Sequence, residues 1–302
     1  MTTFTLKAPL AVESAPTIGD ALHRGSAHLR EAGVGTGNIE AALLLSMATG
    51  LDRLGLINHM SRELSAGELA EFEALINRRS TREPLQHITG KTEFMGLEFE
   101  VSPAVLVPRP DTEILVEAVL DLEEAEGARE GVLIADVGTG SGAIAVSLAS
   151  YLKYARVVAV ELSSEAALVA EANIARHQVG DRVELVLGDG LGPLKAHAGA
   201  ITYLVSNPPY IPQEDIPGLE PEVRDFEPRM ALTPPGDDPL VWYRRFAAEA
   251  GALLAPDGVL AVEVGIHQAQ PVKALLEAHG WQDLSVRSDL GGIERVVVAR
   301  RP

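Results

Sequence analysis

The stretch Asp136-Val137-Gly138-Thr139-Gly140-Ser141-Gly142 decides the fold. It closes the apolar run Val132 to Val137, predicted as a buried strand, and leads into a helix predicted from Ala143 to Leu152. Alternate glycines let a backbone turn sharply and approach a ligand where a β-carbon would collide. The string alone fits two cofactor classes. Gly138, Gly140 and Ala143 also satisfy a dinucleotide pattern with alanine last, which would put a phosphate on the helix N-terminus.

Two further acids favour a ligand without phosphates. Glu161 follows the next predicted strand, Val157 to Val160, and Asp189 follows the third, Val183 to Leu187. A carboxylate at the second strand end suits ribose hydroxyls in either class. Asp136 beside the loop and Asp189 near an adenine site suit S-adenosylmethionine, whose sulfonium and ammonium are positive. A pyrophosphate would be repelled by them.

Around this centre the pattern alternates. Helices are predicted over Glu165 to His177, Leu240 to Leu254 and Pro271 to His279. Strands are predicted over Ile201 to Ser206 and Val259 to Val264, with Leu284 to Val286 and Arg295 to Ala299 as a final pair. Repeated strand–helix units imply an α/β fold, a mostly parallel sheet covered on both faces, with ligands at the carboxyl ends of its strands. Upstream, residues 1–82 read as a helical domain. Ile18, Leu22 and Leu29 fall at helical spacing, Asn38 is expected to cap a helix over Ala41 to Met47, and Ser65 with Glu68 forms a capping box ahead of Leu69, Phe72, Leu75 and Ile76. Residues 83–110 are expected to form a β-hairpin linker turning near Met95-Gly96, and 111–302 the catalytic domain. Asp111 or Thr112 is expected to cap a helix from Glu113 to about Leu122, with Glu123 to Glu130 a solvated loop and Met1 to Pro16 a short disordered lead-in.

Ser206-Asn207-Pro208-Pro209-Tyr210 carries the chemistry. Two adjacent prolines remove two backbone donors and fix φ, so the loop is rigid and its carbonyls lack local partners. The Asn207 side-chain oxygen and the Pro208 carbonyl can accept both hydrogens of an incoming NH2 group, and Tyr210 offers a flat face to a planar substrate. An amide nitrogen is a poor nucleophile because its lone pair is delocalised. Two acceptors holding its N–H bonds out of plane favour a pyramidal nitrogen whose lone pair points at a methyl carbon. No strong general base is needed.

At these residues the chain resembles the class I methyltransferases that act on NH2 groups, and within them the HemK/PrmC family of release factor glutamine methyltransferases. The resemblance extends over Pro84 to Gly90, Phe94 to Gly96, Val107 to Glu113, Pro221 to Arg224, Phe226 to Pro228 with Ala231-Leu232, and Asp289 with Gly291 and Arg295. It implies a Rossmann-like seven-stranded sheet behind a small helical domain. It implies that Gly138, Thr139, Gly140, Ser141, Gly142 and Glu161 bind S-adenosylmethionine, with Asp189 and Gly190 beside the adenine and Asn207 between cofactor and substrate. Asn207, Pro208, Pro209 and Tyr210 would hold a glutamine in a Gly-Gly-Gln loop of a release factor, with Arg109 close by. Three positions depart from the pattern: Glu161 replaces the commoner aspartate, His87 stands where tyrosine is frequent, and Gly190 lacks the bulky side chain of some relatives, so adenine packing must come from elsewhere.

Composition narrows the alternatives. The chain has 302 residues, no cysteine and a net charge of −18. That removes disulfides, thiolate metal sites and cysteine nucleophiles. Residues 1–85 hold 8 Lys and Arg against 10 Asp and Glu, so most of the negative charge lies beyond them. The tetrapeptide Asn207-Pro208-Pro209-Tyr210 is shared by DNA adenine methyltransferases, but an acidic chain without a basic reading domain disfavours a polyanion substrate. A noncatalytic nucleotide-binding adaptor has no use for a rigid NH2-accepting loop, and a nicotinamide dehydrogenase rests on the glycines alone. His59, His87, His177, His197, His267 and His279 show no ligand spacing, so no metal is expected. No apolar run is long enough to span a bilayer and the first residues lack a secretory pattern, so a cytoplasmic protein is expected, and the resemblance implies release factors as its partners, with no direct nucleic-acid or membrane contact.

Overall fold

A computed structural model describes Thr5 and residues 15–127 and 131–302, which form two compact units. The lead-in, apart from Thr5, Ala15 and Pro16, and the end of the expected charged loop, residues 128–130, lie outside the described residues. The smaller unit runs through Thr89 and also takes in Glu220–Phe226. The larger holds Gly90–Leu219 and Glu227–Pro302. The segment 83–110 is thus divided, its hairpin belonging to the larger unit.

The smaller unit is helical: α1 (Ile18–Glu31), α2 (Gly37–Thr49), α3 (Arg53–Asn58), α4 (Ala66–Ser80) and α5 (Leu85–Thr89). The capping box at Ser65 and Glu68 forms in both directions, and Thr17 with Asp20 makes a second one at α1. Asn38 lies inside the first turn of α2 rather than at its cap. The chain enters that helix at Thr36, whose hydroxyl donates to Glu40 instead of capping. Leu29, Leu44, Leu45, Phe72 and Ile76 form the core. The buried Arg79 guanidinium bridges Glu40 and Glu222, the latter at 3.0 Å, and Arg82 reaches Glu222 at 2.6 Å and Glu220 at 3.1 Å. These pairs fasten the short helix Pro221–Phe226 into the unit.

The larger unit opens on the hairpin β1 (Lys91–Phe94) and β2 (Leu97–Glu100), turning at Met95-Gly96 as expected. Helix α6 (Pro110–Glu126) is longer at both ends than its sequence suggested. Pro110 takes the first helical position, where its missing N–H is no loss, so Asp111 and Thr112 stand in the first turn instead of capping it. At the far end Glu123 is buried, accepting from Tyr203 at 2.7 Å and Tyr154 at 3.0 Å, which keeps the helix going to Glu126 where a solvated loop was expected.

Then follow β3 (Leu133–Val137), α7 (Ala143–Tyr151), β4 (Arg156–Glu161), α8 (Ser164–Arg176), β5 (Val183–Leu187) and β6 (Ile201–Ser206). Beyond Pro221–Phe226, which counts as α9, come α10 (Arg229–Leu232), α11 (Val241–Glu249), β7 (Leu254–Glu263), α12 (Ala269–Ala278), β8 (Gln282–Ser288) and β9 (Glu294–Arg300). The helix expected to reach Leu254 stops at Glu249 and tightens into a 3₁₀ turn over Ala250–Ala252, which frees Leu254 to begin the strand.

The strands form one seven-stranded sheet in the order β5-β4-β3-β6-β7-β9-β8, with β9 antiparallel to both neighbours. Strand order reverses between β3 and β6, so the loops after these two strands diverge and leave a crevice. Register sets what lines it. Asp136 pairs with Ala159 and Val205, and Ser206 pairs with Val262. Counting on to the strand ends, Gly138, Glu161, Asn207 and Glu263 share one row across the carboxyl edge.

Candidate active site

One cavity opens at that edge, and all its lining residues belong to the larger unit. Of the residues singled out in the sequence, Gly138, Thr139, Gly140, Ser141, Glu161, Asp189, Gly190, Asn207, Pro208, Pro209 and Arg109 line it. Asp136, Gly142 and Tyr210 do not.

The glycine turn is built as its sequence demands. Gly138, Gly140 and Gly142 have φ of 76°, 57° and 80°, a region closed in practice to side chains. A β-carbon on Gly138 or Gly140 would meet only open space, so both backbones face the cavity. Glu161 props the turn: one oxygen accepts from the Gly140 amide at 2.8 Å, the other from Leu162 and Ser163 at 2.8 and 2.9 Å. The longer side chain in place of aspartate makes this reach back possible, and one carboxylate oxygen keeps room for a hydroxyl donor. Asp136 lies beneath the turn, fully buried, and accepts from the Thr139 hydroxyl at 2.6 Å. Burial pushes its carboxyl up to about 7 against the pull of Thr139.

At the next strand end Gly190 has φ of 53°, and the space a side chain would fill is taken. A β-carbon there would stand 2.8 Å from both the Trp242 indole and the Arg245 guanidinium. Arg245 stacks over Trp242 at 5.2 Å and bonds Asp189 at 3.1 Å. An aromatic wall therefore arrives from α11. Trp242 was not singled out in the sequence. The absent bulk at Gly190 was the signal, though nothing local says which distant residue supplies it.

On the opposite side, Ser206 ties β6 to β3 by donating to the Val137 carbonyl at 2.7 Å. Asn207 Nδ2 donates to Thr112 Oγ1 at 3.2 Å. Tyr210 turns from the cavity, its hydroxyl donating to Glu263 Oε1 at 3.2 Å and its ring packed against the sheet's second core. Glu263 is buried. Desolvation pushes its carboxyl up to about 7, while the Thr112 and Tyr210 hydroxyls favour the charged form. Neither Thr112 nor Glu263 was picked out as functional. Glu263 is a fourth acid at a strand end and was legible by the same rule as Glu161.

Arg109 is already engaged. It forks onto Glu227, both contacts 2.8 Å, and Glu227 also accepts from the Val107 amide at 3.2 Å. This pair pins Val107 to Pro110 against the segment that follows the Asn207–Tyr210 loop. Arg109 is the sole cation among the described lining residues, and it is spoken for. The cavity thus has no free positive charge for a pyrophosphate, whereas a sulfonium and an ammonium fit acidic walls. Among the described residues no cluster of three or more His, Asp or Glu side chains could hold a metal ion.

Comparisons place the chain among methyltransferases. The family model described as the PrmC N-terminal domain matches residues 20–90, and one described as a methyltransferase domain matches 124–206. A release factor glutamine methyltransferase of Geobacter sulfurreducens is 44% identical over 284 residues, covering 94% of this chain and 96% of that protein. One from Moorella thermoacetica is 44% identical over 286 residues, covering 94% and 99%. Among solved structures, the hMettl16 catalytic domain aligns with a TM-score of 0.53 at 14% identity, over 74% of this chain and 81% of that one. The Thermus thermophilus 16S rRNA N2 G1207 methyltransferase aligns with a TM-score of 0.50 at 21% identity, over 70% and 50%; both show the fold alone.

Proposed function

The chain belongs to the release factor glutamine methyltransferase family, and from that premise we propose that it methylates the side-chain amide nitrogen of a release factor glutamine, held in a Gly-Gly-Gln loop, with S-adenosylmethionine as donor. The observation that carries this reading is that Asn207 and Pro208 line the same cavity as the glycine turn, in register across the switch point.

The residues that would hold the cofactor fit it. The open backbone of Gly138 and Gly140 admits a close approach, Glu161 keeps an acceptor for a ribose hydroxyl, and Trp242 offers an aromatic face to the adenine. When bound, S-adenosylmethionine supplies a methyl group on a positively charged sulfur. The chain does the rest by placement. The Asn207 side-chain oxygen and the Pro208 carbonyl take the two N–H bonds of the glutamine amide, hold the nitrogen at the cavity mouth and draw its lone pair out of conjugation. A rigid Pro208-Pro209 pair keeps those acceptors from turning away. Tyr210, bonded to Glu263, fixes the end of the loop and closes it against β7. No residue is asked to remove a proton before transfer: the nitrogen, acidic once methylated, would release its proton to water, the cofactor would leave as the neutral thioether S-adenosylhomocysteine, and no metal is proposed to take part.

The smaller unit contributes nothing to the cavity lining, and we assign it to docking the large substrate. No described helix is long and apolar enough to cross a membrane. We place the enzyme in the cytoplasm with the translation factors it modifies. The deciding experiment incubates the protein and labelled cofactor with a release factor or with duplex DNA. Label on the factor, mapped by mass spectrometry to the glutamine, supports the proposal. Label on adenine alone would overturn it.

A further inference from the structure

An asparagine that serves as an acceptor must present oxygen, and not NH2, to its substrate. The two ends of an amide are nearly the same size, so shape alone does not choose between them. Something beside Asn207 must.

Thr112 is next to it, in the first turn of α6, with a buried side chain. A threonine hydroxyl has one proton to give and can also accept. What it does toward Asn207 depends on where that proton goes. Glu263, at the end of β7, supplies the answer. Its carboxylate is buried, its Oε1 takes the Tyr210 hydroxyl, and its Oε2 makes no hydrogen bond. The Thr112 hydroxyl interacts with this same carboxylate. A buried carboxylate short of donors draws the available hydroxyl proton. The Thr112 oxygen is then left as an acceptor only, and the group it binds on Asn207 must be NH2, which is the observed contact at 3.2 Å.

We propose that Thr112 and Glu263 are positioning residues that set the polarity of Asn207: the carboxylate accepts a hydrogen bond from the hydroxyl, the hydroxyl oxygen accepts one from the amide NH2, and the amide oxygen is turned toward the substrate. The inference rests on the function proposed above and concerns how its acceptor is oriented. Helix α6 enters on Pro110, and this fixed start puts Thr112 level with the strand ends. The remaining charged and titratable groups facing Glu263 are Tyr210, Tyr243, Arg295 and Asp111. Arg295 is held by Asp289 and Asp111, and the Tyr243 hydroxyl donates to the Glu263 carbonyl, so neither competes for the carboxylate's open side.

The test compares Thr112→Val, of the same shape without the hydroxyl, with Thr112→Ser, which keeps it. At about pH 8, where the Glu263 carboxyl has lost its proton, methylation of a release factor should fall in kcat by about 10- to 100-fold in the valine variant, the scale of a misplaced reacting group. The KM for S-adenosylmethionine should stay within about twofold, and serine should restore kcat to within about threefold of the parent. A valine variant with unchanged kcat, or a serine variant as poor as valine, overturns the inference. A second readout needs no substrate. The Asn207 NH2 resonance, assigned by its loss in Asn207→Ala, should exchange slowly with water in the parent and faster in Thr112→Val; equal exchange in the two overturns the inference. A parent enzyme inert toward release factors would instead refute the proposed function, and the exchange measurement would still judge the polarity device.

Discussion

A β-carbon on Gly190 would collide at 2.8 Å with the indole of Trp242, a residue 52 positions later in the chain. The two positions share one volume, and only one of them can fill it. The expected consequence is that Trp242→Ala weakens S-adenosylmethionine binding by about 5- to 100-fold, the range of one base–aromatic stack. Calorimetric titration measures it, and Trp242→Phe should lose less. An alanine variant that binds as tightly as the parent would remove Trp242 from the cofactor site.

Replacing Asn207 by alanine should leave cofactor affinity within about twofold while methylation falls by about 100- to 1,000-fold, the size of losing one preorganised polar contact to the reacting group. Parallel titration and single-turnover assays separate the two. Loss of both together would mean that the loop, and not the acceptor, had been damaged.

Burial raises the carboxyls of Asp136 and Glu263 to about 7. The unfolded chain holds these groups near their ordinary carboxylate values, so between about pH 4 and 7 the folded state binds more protons than the unfolded one. Stability from these two groups is therefore fully present at the acid end, declines as pH rises to 7 and levels off above it. Each group contributes a slope of at most about 1.4 kcal/mol per pH unit. Asp136→Asn keeps the acceptor for Thr139 and should flatten the decline in denaturant unfolding across that window. An unchanged slope would place the titration elsewhere.

On α2, Ile39, Leu43 and Met47 recur every four residues and are 67%, 43% and 39% exposed, and Leu54 and Ile57 on the adjoining α3 are also exposed. If this face docks the substrate protein, Leu43→Glu should raise the KM for an intact release factor by about tenfold, the effect of burying an unpaired charge in an interface. Cofactor affinity should not change, and a short Gly-Gly-Gln peptide should be methylated as before. An unchanged KM would move docking to another face.

The sheet was legible because its strands are apolar runs closed by glycines, prolines or acids, and β5 and β6 begin and end where the pattern said. The glycine turn and Asn207 were legible for the same reason: they are consecutive residues whose chemistry is local. Thr112 and Trp242 were not, since each meets its site neighbour from a distant helix, and Glu263, although it ends a strand as Glu161 does, meets Tyr210 only once β6 and β7 are paired. The extension of α6 through Glu123 was hidden likewise, because a charged residue reads as solvated until two tyrosines from elsewhere are seen to bond it.

The smaller unit takes Glu220–Phe226 as part of itself. In the chain those residues come after β6, so a ribosome has released six strands' worth of sequence before the last piece of the first unit emerges. Until then Arg79 lacks one of its two carboxylates and Arg82 lacks both of its own. The N-terminal helices can collapse early, yet their ion cluster is completed only when the polypeptide has threaded out through the methyltransferase sequence and back. Nascent chains stalled before residue 220 should therefore be easier for a protease to cut at the end of α4 than chains stalled after residue 227, and a gene encoding residues 1–89 alone would express a bundle with that cluster permanently unfinished.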